Sequence, residues 1–149
     1  MNTTAAWLSR VGTESGHIKL DKVQSSSHYH TSTANYGAAL LDNNSSIYED
    51  SSGSIYLIYG QPYWQGNTKE GLTTAQQLAH MHQYHGDDLL HHTHGSFAFI
   101  IIEPNKERML AAIDRIGTQN LVYRYTNESI LVASNCKTIK KLTPQPLML

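Results

Sequence analysis

Cysteine is almost missing from this sequence. Cys136 is the single thiol in 149 residues, so no intrachain disulfide can form and a cysteine-based zinc cluster is excluded. Charge is scarce as well: 11 Lys and Arg stand against 12 Asp and Glu, a net −1 with neutral histidines. Charged residues are 15% of the chain, against roughly 25% in an average soluble domain. So even a balance argues against nucleic acid or an anionic membrane as partner, because both select a basic surface. The longest apolar run is Phe97–Ile102, far short of the ~20 residues of a membrane span. Met1-Asn2-Thr3-Thr4 opens without the basic and apolar regions of a secretory signal, so a cytoplasmic location is expected. Polarity comes instead from 14 Ser and 13 Thr, alongside a 40% hydrophobic fraction. The length fits one domain of roughly 100–200 residues, large enough to bury a core without staples.

Residues 24–54 hold 9 Ser, 2 Thr and 3 Asn. Such side chains hydrogen-bond their own backbone and favour turns, so this segment reads as loops around one strand, Tyr36–Leu41. Ser54–Gly60 is a β-branched and aromatic run ended by glycine, hence a buried strand, and residues 61–67 read as the turn after it. Thr73 or Thr74 is placed to cap a helix that runs to His85 and stops at Gly86. Asp87-Asp88 then suits a second short helical turn before Leu89-Leu90. Further on, Ser96–Glu103 and Met109–Asp114 flank the turn Pro104-Asn105-Lys106-Glu107. Leu121–Tyr125 and Ser129–Ala133 flank Thr126-Asn127-Glu128, and together the four strands read as an antiparallel meander. Asn135–Leu142 reads as a terminal helix with its lysines outward. Residues 1–142 thus form one domain, and 143–149, with Pro144 and Pro146, a linker or tail.

The meander carries a family resemblance. Leu90, Gly95-Ser96-Phe97-Ala98-Phe99, Ala112-Ile113-Asp114-Arg115-Ile116-Gly117, Leu121-Val122-Tyr123-Arg124-Tyr125 and Val132-Ala133-Ser134 follow in order. Over about residues 74–142 this resembles the class II glutamine amidotransferase domain of asparagine synthetases. The resemblance implies the N-terminal-nucleophile (Ntn) hydrolase fold: α+β, a four-layer αββα sandwich of two antiparallel sheets. Gln119-Asn120 replaces that family's Lys-Pro, and Asn135 its Glu.

The chemistry departs from the family. Its nucleophile is the cysteine exposed by methionine removal, with the α-amine as base. Here Asn2 holds that place, and the first hydroxyls, Thr3 and Thr4, need a further cleavage to become terminal. The family's Asn-Gly-Glu, an oxyanion amide and a substrate contact, matches Tyr59-Gly60-Gln61. Gly60 keeps a backbone N–H, but the side-chain amide is lost, a change worth about 10²–10³ in rate. The Ser-Asp-Thr-Glu that reads the substrate amine matches Thr73-Thr74-Ala75-Gln76. Where an arginine clamps the substrate carboxylate, the chain has Tyr36–Leu41. Gly60, Gln61 and Thr74 are therefore the positions of a substrate pocket without its charged groups, and no catalytic residue and no cofactor are expected.

Two alternatives stay open beside an inactive scaffold. One is an Ntn hydrolase acting through an exposed Thr3 or Thr4. The other is a metal- or ligand-binding module, since six of nine histidines lie between His80 and His94. On the helix, His82 and His85 at i, i+3 share a face, with His94 or His91 near enough in sequence to approach from the following segment. Core packing for His82 and His85 competes with that reading. Asp114-Arg115 reads as a buried ion pair, Cys136 as an ordinary thiol, and Tyr59, Tyr63 and Trp64 as core aromatics. The resemblance implies an ATP-dependent synthetase or cyclase module as partner, beyond Leu149 or on a separate chain.

Overall fold

Residues 55–64 and 93–103 present apolar side chains to both faces of their strands, so both faces need cover. The computed structural model describes residues 4–9, 29–32, 36–40, 45–66, 68–126, 129–137 and 139. Its elements are β1 (Thr4–Ser9), β2 (Tyr29–Ser32), β3 (Tyr36–Leu40), β4 (Ser45–Glu49), β5 (Ile55–Trp64), α1 (Thr74–His85), α2 (Leu89–His92), β6 (Thr93–Glu103), β7 (Arg108–Ile113), β8 (Val122–Tyr125) and β9 (Ser129–Ala133). Two antiparallel sheets result, ordered β2-β3-β1-β9-β8 and β4-β5-β6-β7.

The cover comes in layers. Ile55, Leu57 and Tyr59 of β5, with Ala98, Ile100 and Ile102 of β6, meet Ala6 and Leu8 of β1 and Val132 of β9 between the sheets. On the other face of the four-stranded sheet, Tyr56, Ile58, Phe97, Phe99 and Ile101 pack under Ala75, Leu78 and Ala79 of α1. The outer face of the five-stranded sheet buries Ala5, Trp7, Leu131 and Ala133 against Ile139, in the helical residues after Asn135. Each fully buried Leu, Ile or Phe contributes about 1.5–3 kcal/mol, so packing rather than helix propensity holds α1 in place. This is the αββα sandwich expected. Among the described residues no helix is long and apolar enough to cross a membrane.

Thr73 caps α1 with a full capping box: its hydroxyl accepts from the Gln76 N–H, and the Gln76 amide oxygen from the Thr73 N–H. Gly86 ends the helix at φ +61°. Several sequence expectations need correction. The hydroxyl-rich stretch holds three strands, not one, and two of them, β2 and β4, lie at sheet edges. An edge strand has one side without a ladder partner, where Ser and Thr serve as well as apolar residues. β5 does not stop at Gly60 but runs on to Trp64, paired with Thr93 of a longer β6. Pro62 is tolerated there because, among the described residues, no strand pairs with that side of β5 beyond Tyr59. The four-strand meander is divided: β6 and β7 close one sheet, while β8 and β9 lie in the other. Of the terminal helix, Lys137 is exposed as expected, whereas Lys140, Lys141 and the tail lie outside the described residues.

Candidate functional site

β1 is the central strand of the five-stranded sheet. Its register sets Ala5 between Ala39 and Ala133, and Ala133 opposite Val122. Thr4, the first described residue, opposes Leu40 at this end of the sheet, whereas Asn2 and Thr3 lie outside the described residues. Two residues before Val122, the Asn120 carbonyl accepts a hydrogen bond from the Tyr59 hydroxyl on the facing sheet. The start of β1 and the Tyr59-Gly60-Gln61 segment therefore belong to one end of the sandwich, the mouth between its sheets.

Gly60 has φ +101°, and a Cβ there would collide with the Ser96 carbonyl oxygen. Only glycine fits, whatever its N–H does chemically. Gln61, exposed, opposes Ser96. Ser96 in turn is 2.6 Å from the Thr118 hydroxyl and accepts from the Gln119 amide at 3.1 Å. Thr118 donates to the Asp114 carboxylate, so its proton is committed and Ser96 must donate to Thr118. A polar wall results, polarised in one direction from the neutral side chains of Gln119, Ser96 and Thr118 to the Asp114 carboxylate. Sequence reasoning missed Ser96, Thr118 and Gln119, because nothing local in a Gly-Ser or Thr-Gln pair marks which sheet end it will reach.

Asp114 is buried and does not pair with Arg115, which is exposed. Its carboxylate accepts from Thr118, through hydroxyl and N–H, and from the Phe97 and Ile116 N–H groups. The Thr118 hydroxyl first, then these backbone donors, hold its pKa down at about 2. A carboxylate so poised is a turn anchor and a poor base. Tyr59 is buried, which pushes its phenol up to about 12. Tyr63 is 55% exposed and so is no core residue, whereas the Trp64 indole donates to Thr93.

Thr74 begins α1. The next residue, Ala75, donates its N–H to Ser46, which opposes Ile58, two positions before Gly60 on β5. The first turn of α1 carries no acidic side chain. The histidines disperse. His82 is buried, its Nδ1 3.3 Å from the Tyr56 hydroxyl and its Nε2 3.9 Å from Asp87, and burial lowers its pKa. His85 stacks on His92 at 3.8 Å, while His94 stacks on Tyr63 at 5.4 Å. Among the described residues no three His, Cys, Asp or Glu side chains are placed to hold a metal ion.

A family model described as a glutamine amidotransferase domain matches residues 37–141, well over half of the chain. The chain belongs to this family. The match begins well upstream of the meander, at β3. Among curated relatives, the glutamine amidotransferase domain is similar to the amidase chyE of Penicillium rubens, 28% identical over 76 residues. It is also similar to the amidase chry2 of Gibberella zeae, 26% identical over 76 residues. Each match takes in 51% of this chain and 11% of the relative, so the chain spans about a tenth of the length of either. Among solved structures, the glutamine phosphoribosylpyrophosphate amidotransferase of B. subtilis, complexed with ADP and GMP, aligns with a TM-score of 0.52 at 13% identity. That alignment covers 94% of this chain and 38% of the other. The shared fold is that of a class II, Ntn-type amidotransferase.

Proposed function

We propose that this glutamine amidotransferase-like domain has lost the glutaminase reaction and serves as a structural or docking domain. Its partner would be an ATP-dependent, asparagine synthetase-like synthetase or cyclase module, in the same chain or a separate one, in the cytoplasm. One observation carries the reading. Tyr59 stands where the family holds the oxyanion amide, and its side chain is a strut: ring buried between the sheets, hydroxyl bound to the Asn120 carbonyl. A group so committed is not free to stabilise a developing oxyanion. The neutral wall of Gln61, Ser96 and Gln119, and the α1 first turn without a carboxylate, supply no partner for a substrate ammonium.

The test is ammonia release. Purified protein incubated with glutamine or asparagine is expected to release none above buffer, and its intact mass to retain the residues ahead of Thr4. Release that disappears in Thr3→Ala or Thr4→Ala would establish the second reading, an amidohydrolase, which the name of the amidase relatives favours. Mixed with an asparagine synthetase-type ATP-using module, the chain is expected to co-elute on gel filtration. Separate elution would remove the docking role.

A further inference from the structure

A second concavity lies outside the mouth of the sandwich, a cleft of about 490 Å³ where β7 parts from β6. β7 pairs with β6 only as far as Ile113 opposite Ala98. Asp114 then turns away, its N–H donating to the Phe97 carbonyl and its carboxylate accepting from the Phe97 N–H. β6 continues back to Thr93 with β5 alone beside it. In an antiparallel ladder, every second residue turns its N–H and C=O to the same side. Gly95, two before Phe97, therefore aims both groups at the side that β7 has left, into the cleft. Pro62 opposes Gly95, a residue without an N–H where no bond toward Gly95 is needed.

Part of the wall is apolar and yet open to solvent, beside the polar Thr93 and His94. Tyr63, Leu90, Ile113 and Ile116 line the cleft while staying 55%, 39%, 44% and 86% exposed. The rim carries one carboxylate, Asp114, and one guanidinium, Arg115, and only the second is open to a new partner. The Asp114 carboxylate is saturated by donors from Phe97, Ile116 and Thr118, and His91 is paired with Asp88. Arg115 is exposed, and among the described residues no carboxylate pairs with it.

An open strand edge, an apolar hollow and one cation together match the free end of an extended peptide, whose main chain, last side chain and carboxylate they would receive in turn. We propose that this cleft binds the carboxy-terminal end of a partner polypeptide. The peptide adds a short strand beside Gly95, lays an apolar last residue against Leu90, Ile113 and Ile116, and sets its carboxylate on Arg115. The proposal is independent of whether the mouth of the sandwich retains glutaminase chemistry.

The probe is N-acetyl-Val-Leu, as free acid and as carboxamide, titrated into the isotope-labelled protein and followed by amide NMR. The acid is expected to shift the Gly95, Arg115 and Ile116 signals saturably with a Kd of about 1 mM, and the carboxamide to bind at least about fivefold more weakly. Arg115→Gln should abolish that difference, and Ile116→Ser should weaken both probes; both side chains are exposed, so the rest of the spectrum reports an intact fold. Equal binding of acid and carboxamide to the parent protein, or no saturable shift at these residues up to about 10 mM, overturns the proposal. Octanoate binding as tightly as the peptide acid also overturns it, since a fatty acid has no main chain to pair with Gly95.

Discussion

Asp114 and His82 are two buried titratable side chains with opposite consequences. For Asp114, hydrogen bonding lowers the folded pKa from an ordinary 3.8 to about 2. Its stabilisation is therefore complete above the unfolded value and lost as pH falls from 3.8 through about 2. Asp114→Asn, which replaces one acceptor oxygen by a donor, is expected to lower the urea midpoint at neutral pH and to flatten that acid limb. For His82, burial lowers the pKa despite the opposing pull of Glu103 and Asp87. The unfolded chain then binds the proton more readily, so stability falls as pH drops through the ordinary value of 6.5. His82→Phe keeps an aromatic ring against Tyr56 and removes this titration. Urea midpoints from about pH 7.5 to 5.5 should lose part of their slope in the variant, and an unchanged slope would remove His82 as its source.

At the scale of elements, the two longest strands depend on glycine where they outrun their neighbours. Gly60 and Gly95 both have positive φ, and a Cβ at Gly95 would stand 2.6 Å from the Gln61 carbonyl oxygen. Gly60→Ala is expected to destabilise by more than the about 1–3 kcal/mol of its backbone conformation alone, because the Ser96 carbonyl also blocks the methyl group. Thermal unfolding measures this. Elements with a strong period or strong punctuation were legible in the sequence: α1 between Thr73 and Gly86, the β6–β7 hairpin, and β8 and β9. The extension of β5 through Pro62 was not, because among the described residues proline is allowed only where no strand pairs with that side of β5, a fact of pairing rather than of local sequence. β1, β2 and β4 were hidden for a related reason. Their short runs acquire meaning only from the sheet edges or core strands beside them. Gly60 and Gln61 were singled out in the sequence by the family pattern alone, whereas their neighbours Ser96, on β6, and Thr118 and Gln119, after β7, are brought to them only by strand pairing and the Asp114 turn.

In the whole molecule, each of three apolar layers is closed by side chains drawn from several elements. Ile139 is 2% exposed and closes the outer face over Trp7, Leu131 and Ala133. Ile139→Ala is expected to cost about 2–5 kcal/mol, read by chemical denaturation, and to expose the Trp7 indole to solvent, read by a red shift in its fluorescence. A cost under about 0.5 kcal/mol would mean that this layer contributes little to the fold.

Tyr59 makes the mouth of the sandwich difficult to reverse. Its ring fills the space between the sheets, and its hydroxyl ties the four-stranded sheet to the segment that enters β8. Replacing a buried aromatic by a smaller side chain costs about 3–5 kcal/mol, out of a total stability of about 5–15 kcal/mol. Tyr59→Asn, which installs the asparagine of the family pattern, is therefore expected to weaken the fold whatever it does to the chemistry of the mouth. Under the proposed loss of the glutaminase reaction, the core acts as a ratchet, open to drift in one direction and closed to single-step reversal in the other.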